Sequence, residues 1–599
     1  MRDRLQTADG TADRDETTDY ETVSVPVLVV GAGAAGARVA ISLADAGVEP
    51  LVIGKSDHGD AHTTWAAGGI NAALGSLDPE DDWTVHAADT LDEGHYINDP
   101  EAVELTAKHM PDRIRELADW GMPFDRTDAG EINQRYFGAQ SFRRTCFVGD
   151  RTGEAILDAL VAKAQDMEIP YRDNVMVTRL LTDGERVAGA MGFDMESGEF
   201  VCFRSDHVVL AAGGSSALYE RHSSREDENN ADGPALALGA GARLMDIEFV
   251  QFHPTGMVGA RYGEEWDGRL VTEAVRGEGG RLLNADGERF MEEYSPDQME
   301  LDARDVVARA IAQEIREGRG TDNGGVYLDI SHREDQYIRD RLPSMVERFD
   351  SLGVDITEEP MEVAPTAHYT MGGVDIDFST GETGVDGLYA VGETVAGVHG
   401  ANRLGGNSLA ETVAIGKLVG EHVAGQVDAD AAPALTDGQR ALAEREFRSL
   451  AALEASDGDV TARELLADLG EILWEHAGIL RDEASLKQGL AELDALRERT
   501  ADLRIEGDRT SRDFEFAVDL SFSLPIAEAI LRGALERSES RGAHYRTDYP
   551  ETDGDWQRNI VASEEPTGLE LRTRGVAEPS PEVQDAVDTG YELDYHHLE

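Results

Sequence analysis

The sequence predicts an α/β protein that opens on a Rossmann-like dinucleotide-binding unit and closes in helices, and three observations predict it. Val25–Val30 is a short apolar run rich in β-branched residues, read as a fully buried strand, with Pro26 tolerable at its start. Gly31-Ala32-Gly33-Ala34-Ala35-Gly36 follows at once, Ala37–Ala46 reads as a helix ending before Gly47, and Leu51–Ile53 reads as the next strand. From Gly438 to Arg541 the pattern turns helical, with Leu465, Leu469, Ile472 and Leu473 at i, i+4, i+7 and i+8.

The strand–turn–helix–strand context gives the GxGxxG run its meaning. Gly31 makes the turn, Gly33 lets backbone approach a pyrophosphate, and Gly36 packs helix on strand. The helix N-terminus at Ala34 offers free N–H groups and a positive dipole end to phosphates. After the second strand, where a nicotinamide dinucleotide would meet an acidic residue on its ribose, Gly54-Lys55-Ser56 stands instead, which leaves FAD. His62-Thr63-Thr64-Trp65-Ala66-Ala67-Gly68-Gly69-Ile70-Asn71 is a loop mostly of small residues, poor as core and suited to lie against a flat ring. Further on, His399-Gly-Ala-Asn-Arg403-Leu-Gly-Gly-Asn407-Ser408-Leu409 sets one guanidinium among glycines. It follows a second rare cluster, Thr366-Ala-His368-Tyr-Thr-Met-Gly-Gly373. A guanidinium so placed presents a planar fork matched to a carboxylate.

Taken in order along the chain, these motifs resemble the flavoprotein subunit of succinate dehydrogenase and fumarate reductase, with L-aspartate oxidase as a close relative. The resemblance runs from about residue 24 to about residue 560. It implies a Rossmann-like FAD-binding domain, an inserted α+β capping domain and a C-terminal helical domain. His62 stands where the dehydrogenases and reductases carry the histidine that bonds covalently to FAD, and Phe137-Gly138-Ala139-Gln140-Ser141 resembles their FGGQS run. Lys55, Thr63, Gly68 and Gly69 fall with the cofactor loops, as do Ala212 and Gly213 after the apolar Val208–Leu210. Asn230-Ala231-Asp232-Gly233 resembles the N-T-G-D-G that returns toward FAD, Gly392-Glu393 the pair that holds its ribityl or ribose region, and Asn407, Ser408 and Leu409 close that set.

For catalysis the resemblance carries over His253 in Gln251–Gly256, Thr272-Glu273, Arg276–Gly280, Arg304 in Arg304–Arg309, His368 and Arg403. A four-carbon dicarboxylate needs cations or donors at both ends, and His253, Thr272, His368 and Arg403 can divide that task. In the family, hydride passes between flavin N5 and one central carbon, and the equivalent of Arg304 exchanges the proton at the other with Glu273 relaying it. On residue chemistry alone, Arg304 would instead salt-bridge a helix carrying Asp305, Arg309 and Glu314. His62, Gln140 and Met371 favour the dicarboxylate branch; Glu248-Phe249-Val250, Tyr545 and Asp548-Tyr549-Pro550 lean toward the oxidase, which makes iminoaspartate for nicotinamide synthesis. Ala67 departs from the Gln or Glu usual beside the flavin. A flavin-binding component without turnover is disfavoured by the complete set His253, Glu273, Arg304, His368 and Arg403.

Composition frames the setting. The 599 residues suffice for several domains and a large core, and 41% are apolar. The net charge is −65, and all but five of the basic residues (Lys55, Lys108, Lys163, Lys417 and Lys487) are arginine. Self-repulsion of that size is suppressed where salt shortens the Debye length to about 3 Å, which predicts a salt-rich, halophilic cytoplasm. No basic stripe supports nucleic-acid binding. Cys146 and Cys202, with no CxxC, exclude a disulfide framework and leave too few ligands for an iron–sulfur cluster, so no metal site is expected. The resemblance then implies that the electron partner is a separate iron–sulfur subunit, with membrane anchor subunits beyond it. No run of about 18 apolar residues occurs, so any attachment to the cytoplasmic face of a membrane would come through partners.

The organisation expected is an acidic disordered leader over 1–23, an FAD-binding domain over 24–235 and 366–430, and a capping domain over 236–365. Asp428–Asp437 reads as a linker, 438–541 as the helical domain and 542–599 as a weakly patterned acidic tail.

Overall fold

The computed structural model describes residues 20–225, 227–428 and 434–590. At its centre is a five-stranded parallel sheet in the order Leu388–Ala390, Val208–Leu210, Val27–Val30, Pro50–Ile53 and Tyr171–Arg172. Every residue of Val27–Val30 and Pro50–Ile53 is buried, which is why these runs are apolar throughout rather than alternating. The helix Ala34–Asp45 crosses between them, and Gly31 turns the chain at φ +111°. A Cβ on Gly31 would stand 2.1 Å from the Ala211 carbonyl oxygen, and one on Gly36 2.0 Å from the Gly31 carbonyl oxygen. Both glycines are therefore dictated by packing between protein elements. The same helix lies against Asn407–Gln426, where Gly416 and Gly420 meet Ala35 and Ser42.

The capping layer is an antiparallel sheet in the order Val250–Met257, Met361–Thr370, Val326–Asp329 and Arg281–Leu283, backed by the helices Arg304–Arg316 and Pro343–Ser351 around their own apolar core. Four long helices follow, Asp437–Glu454, Ala462–Ala477, Glu483–Arg499 and Arg512–Glu536. Leu465, Leu469, Ile472 and Leu473 are all buried, each contributing roughly 1.5–3 kcal/mol. Thr436 with Gln439 and Thr461 with Glu464 close capping boxes that start two of these helices. The predicted fold class is the one observed.

Three differences have local causes. The stretch read as a disordered leader ends in a strand, Glu21–Ser24, which runs parallel to Phe200–Arg204 and buries Thr22 and Val23; residues 1–19 lie outside the described residues. Of the predicted linker, residues 429–433 are likewise outside them, and the helix that follows begins at Asp437. The weakly patterned tail is ordered through residue 590, residues 591–599 lying outside the described residues. Arg558–Glu565 and Gly568–Gly575 form a hairpin paired to Leu244–Met245, and Pro581–Thr589 buries only Val583 and Ala586 against the helix Trp83–Glu93. One packed face per element leaves too few apolar residues for a strong periodic signal.

The helical region is fastened to the sheets by arginine. Arg537, fully buried, reaches Glu248 at 2.8 Å, Asp246 at 3.2 Å and Glu539 at 3.4 Å, with its guanidinium 4.8 Å from the Phe249 ring. Glu539 keeps Arg541 at 2.7 Å, but removing Arg537 leaves the buried Glu248 and Asp246 carboxylates without their cation, which costs about 3–5 kcal/mol. Arg537→Met is therefore expected to lower the thermal unfolding midpoint clearly at fixed salt, measured by circular dichroism; an unchanged midpoint would show that this cluster does not fasten the helices.

Candidate active site

The carboxyl ends of the parallel strands open into one cleft of about 1790 Å³, part of it open to solvent. The switch in strand order around Val27–Val30 places the turn after that strand and the turn after Val208–Leu210 on the same side, where α/β sheets bind ligands. Gly31, Gly33, Ala34, Lys55, His62, Thr63, Gly68, Gly69, Ala212, Gly213, Asp232, Glu393, Ser408 and Leu409 all line this cleft. Gly36 and Asn407 do not. Gly36 is spent on packing, as above, and the Asn407 side chain is buried among Asn71, His86 and Thr90, hydrogen-bonded to each.

The residues present fit a dinucleotide. The helix starting at Ala34 gets no cap from Gly33 and opens onto the cleft, so its dipole and the first-turn N–H groups beyond Ala34 remain available to an anion. The Lys55 ammonium pairs with Asp232 at 3.2 Å and Asp519 at 3.5 Å; burial opposes its charge, but these carboxylates raise its pKa above the ordinary lysine value. Thr63 Oγ1 accepts from the Ala34 N–H at 3.1 Å and ties the His62–Trp65 turn to the helix start. The buried Nδ1 of His62 has no protein partner, and burial, with His222 and Arg225 nearby, lowers the imidazole pKa to about 4. It is neutral at pH 7.

At the cleft's other end the capping layer meets the loop carrying Arg403. Arg304 begins the helix Arg304–Arg316 and pairs with Glu273 at 2.8 Å, not with Asp305, which pairs with Arg309. The Gln251 side-chain oxygen accepts from both Arg304, at 3.0 Å, and Arg403, at 2.9 Å. The Arg403 guanidinium lies 4.6 Å from the Tyr369 ring, donates to Ser408 Oγ at 3.2 Å, and keeps a buried Nε without a partner. Arg276 is fully buried 3.6 Å from Glu273. Gln140, in the Phe137–Ser141 run, donates to the Gly405 carbonyl and Gly138 donates to Glu273, so that run braces both sides of the site.

The imidazoles are neutral donors. A backbone N–H, from Thr255 at 3.2 Å, donates to His253 Nδ1 and so fixes the proton on Nε2, which is buried without a protein partner in the cleft wall. Ser223 Oγ meets His368 Nδ1 at 2.8 Å, and the two rings stand 5.4 Å apart. Burial, then the neighbouring arginines, hold both far below the ordinary histidine value. Burial would raise Glu273, but Arg304 and Arg276 overcome it and hold the carboxyl at about 2. Burial, then Arg304, lower Arg403 to about 9. Arg304 and Arg276 share Glu273, while Arg403 has no ion pair among the described residues and feels Glu393 and Glu273 only at longer range, so the wall, which Thr272 also lines, carries an excess of positive charge.

Sequence reasoning names all six proposed catalytic residues that the structure gathers here, but misses the work of Gln251, Tyr369 and Ser223. Gln251 sits inside a recognised motif, yet no spacing signals that it bridges two arginines.

Comparison with known proteins decides the family. The FAD binding domain family matches residues 26–409 and the fumarate reductase flavoprotein C-terminal family residues 466–584. The chain belongs to the fumarate reductase and succinate dehydrogenase flavoprotein family. A fumarate reductase (CoM/CoB) subunit of Methanothermobacter marburgensis is 44% identical over 91% of this chain and 98% of that protein. The succinate dehydrogenase flavoprotein subunit of Rickettsia felis is 36% identical over 90% and 93%. Among solved structures, a point mutant of E. coli quinol fumarate reductase FrdA superposes with a TM-score of 0.88 at 33% identity, over 94% of this chain and 99% of that one. As a member of this family the chain is an FAD-dependent oxidoreductase, and the comparisons favour this branch over L-aspartate oxidase.

The neutral imidazoles and the lowered Arg403 predict a pH profile. Dicarboxylate affinity, followed by flavin absorbance, should be flat between pH 6.5 and 8 (working values set roughly by the imidazole reference pKa). It should then weaken by up to about tenfold per pH unit as pH rises through about 9 and Arg403 loses its proton. A limb near the ordinary histidine value would show that an imidazolium binds instead.

Proposed function

We propose that this chain is the catalytic flavoprotein subunit of an enzyme that interconverts succinate and fumarate. The observation that carries the reading is the excess of positive charges where Arg304, Arg276 and Arg403 gather around the paired carboxylate of Glu273, in a chain whose net charge is −65. A dianion is the ligand that neutralises them. Arg403 holds one carboxylate bidentately, while His253 Nε2, Thr272 and His368 hold the other and orient the acid across the cleft. Bound FAD supplies a two-electron carrier that exchanges hydride with one central carbon.

Arg304 serves the second central carbon. In reduction its guanidinium gives up a proton to that carbon, and in oxidation it receives one. Glu273 accepts a hydrogen bond from Arg304 Nε, pairs with its Nη2 and lies beside Arg276, so the carboxylate stands where it can reload the guanidinium. Gln251, gripping both Arg304 and Arg403, fixes the distance between the proton-exchanging and carboxylate-binding groups. The region 236–365 acts as a cap that closes over the acid and excludes water. His62, neutral and with a free buried nitrogen in the cleft wall, is suited to a covalent bond to the flavin.

The named relatives are subunits, which supports an iron–sulfur partner as the electron carrier beyond the flavin. No helix among the described residues is long and apolar enough to cross a membrane, so attachment to its cytoplasmic face would rest on further subunits. The acidic composition supports a salt-rich cytoplasm.

Arg304→Ala is expected to retain FAD, seen in its visible spectrum, while turnover falls by at least about 10²-fold. Ordinary turnover in that variant would refute the proton role.

A further inference from the structure

We infer that Arg269, with Arg348 behind it, forms an entry site for the dicarboxylate at the open mouth of the cleft, separate from the site where the acid reacts. The inference rests on the dicarboxylate reading above. A dianion approaching a chain of net charge −65 climbs a repulsive potential, so capture needs a local cation that no carboxylate already neutralises.

Trp65 lines the cleft and is 38% exposed, which marks the mouth. The Arg269 guanidinium lies 5.3 Å from the Trp65 ring and 4.8 Å from that of Trp266, and the next residue, Leu270, also lines the cleft. The half-buried Arg348 donates to the Leu270 carbonyl at 3.0 Å. Burial, then the nearby charge of Arg269, lower its pKa, with Asp150 acting weakly the other way. Among the described residues neither guanidinium pairs with a carboxylate, although acids stand in the same loop. Asp267 is turned to Arg221 at 3.1 Å and to the Gly259 N–H, and Glu264 and Glu265 are exposed.

The acids that line the cleft are already paired, Asp60 and Glu228 with Arg225 and Asp232 with Lys55. Those cations are spent on the protein's own carboxylates, whereas Arg269 and Arg348 keep their charge for an incoming anion. Stacking against two indoles holds the face of the guanidinium and leaves its N–H edge for a carboxylate. Trp65 and Arg269 come from opposite walls, one from the turn beside the central sheet and one from the capping layer, so the entry site lies on the seam between them.

The test uses holoprotein and malonate, a dicarboxylate whose single methylene cannot form a carbon–carbon double bond. Stopped-flow flavin absorbance gives its association and dissociation rates, at one salt concentration where all variants share the circular dichroism of the unaltered protein. Arg269→Gln should lower the association rate about tenfold and leave dissociation unchanged, and Arg348→Gln should lower association less. Arg269→Lys should restore most of it, because charge rather than shape is what captures. Association at the unaltered rate in Arg269→Gln would overturn the entry site. So would faster dissociation alone, which would make Arg269 a latch between the walls. If malonate fails to bind even the unaltered protein, the dicarboxylate reading itself falls, and the entry site with it.

Discussion

Crowding like charges in a low-dielectric site is costly, and much of the structure around the cleft answers that one constraint. Arg304, Arg276 and Arg403 converge with Glu273 as the carboxylate paired among them, and all four are largely buried. Such an arrangement persists only if neutral groups hold it. Gln251 divides one oxygen between two guanidiniums, Tyr369 lies beneath Arg403, and the Phe137–Ser141 run donates to Glu273 and to the Gly405 carbonyl. The histidines contribute no charge, because burial and the arginines deprotonate them. The site is thus preorganised for a dianion, and its electrostatics are set before any ligand arrives.

The fold makes this possible by dividing labour between layers. The parallel sheet supplies turns at its carboxyl ends and a helix N-terminus for the dinucleotide, while the capping sheet brings His253 and His368 on paired strands and Arg304 on the helix behind them. The two sets meet in one cleft, where the charged groups of both layers are already joined through Gln251. Arg537, bound to Glu248 just before the strand carrying His253, ties the helical region to the same wall.

What the sequence disclosed depended on how local each signal was. The strand–glycine–helix unit at Val27–Asp45 is set by residues adjacent in the chain, and its third glycine packs as expected. Leu465, Leu469, Ile472 and Leu473 betray their helix because one face is wholly apolar. Asn407 shows the limit: it stands in a cofactor-like run, but its side chain answers to Asn71, His86 and Thr90, more than 300 residues distant in sequence. Gln251 and Ser223 were illegible for the same reason, since their partners are fixed only by tertiary folding. The hairpin after Arg558 and the helix at Pro581 leave little trace in the sequence because each buries a few residues on a single face.

The arginines of the cleft give it its selectivity in spite of the chain's acidity. Against a background of −65, the excess of guanidinium charge around the cleft attracts small dianions and discriminates against monoanions, which leave either Arg403 or the His253–Thr272–His368 donor set without its carboxylate. Calorimetric titration of the holoprotein with succinate and with its monoamide, succinamate, at equal salt tests this most directly. Loss of one charge-assisted pair at a buried site should weaken the monoamide by at least about tenfold. Equal affinity for the two would contradict the account, because it would mean that the excess positive charge does not act on the second carboxylate.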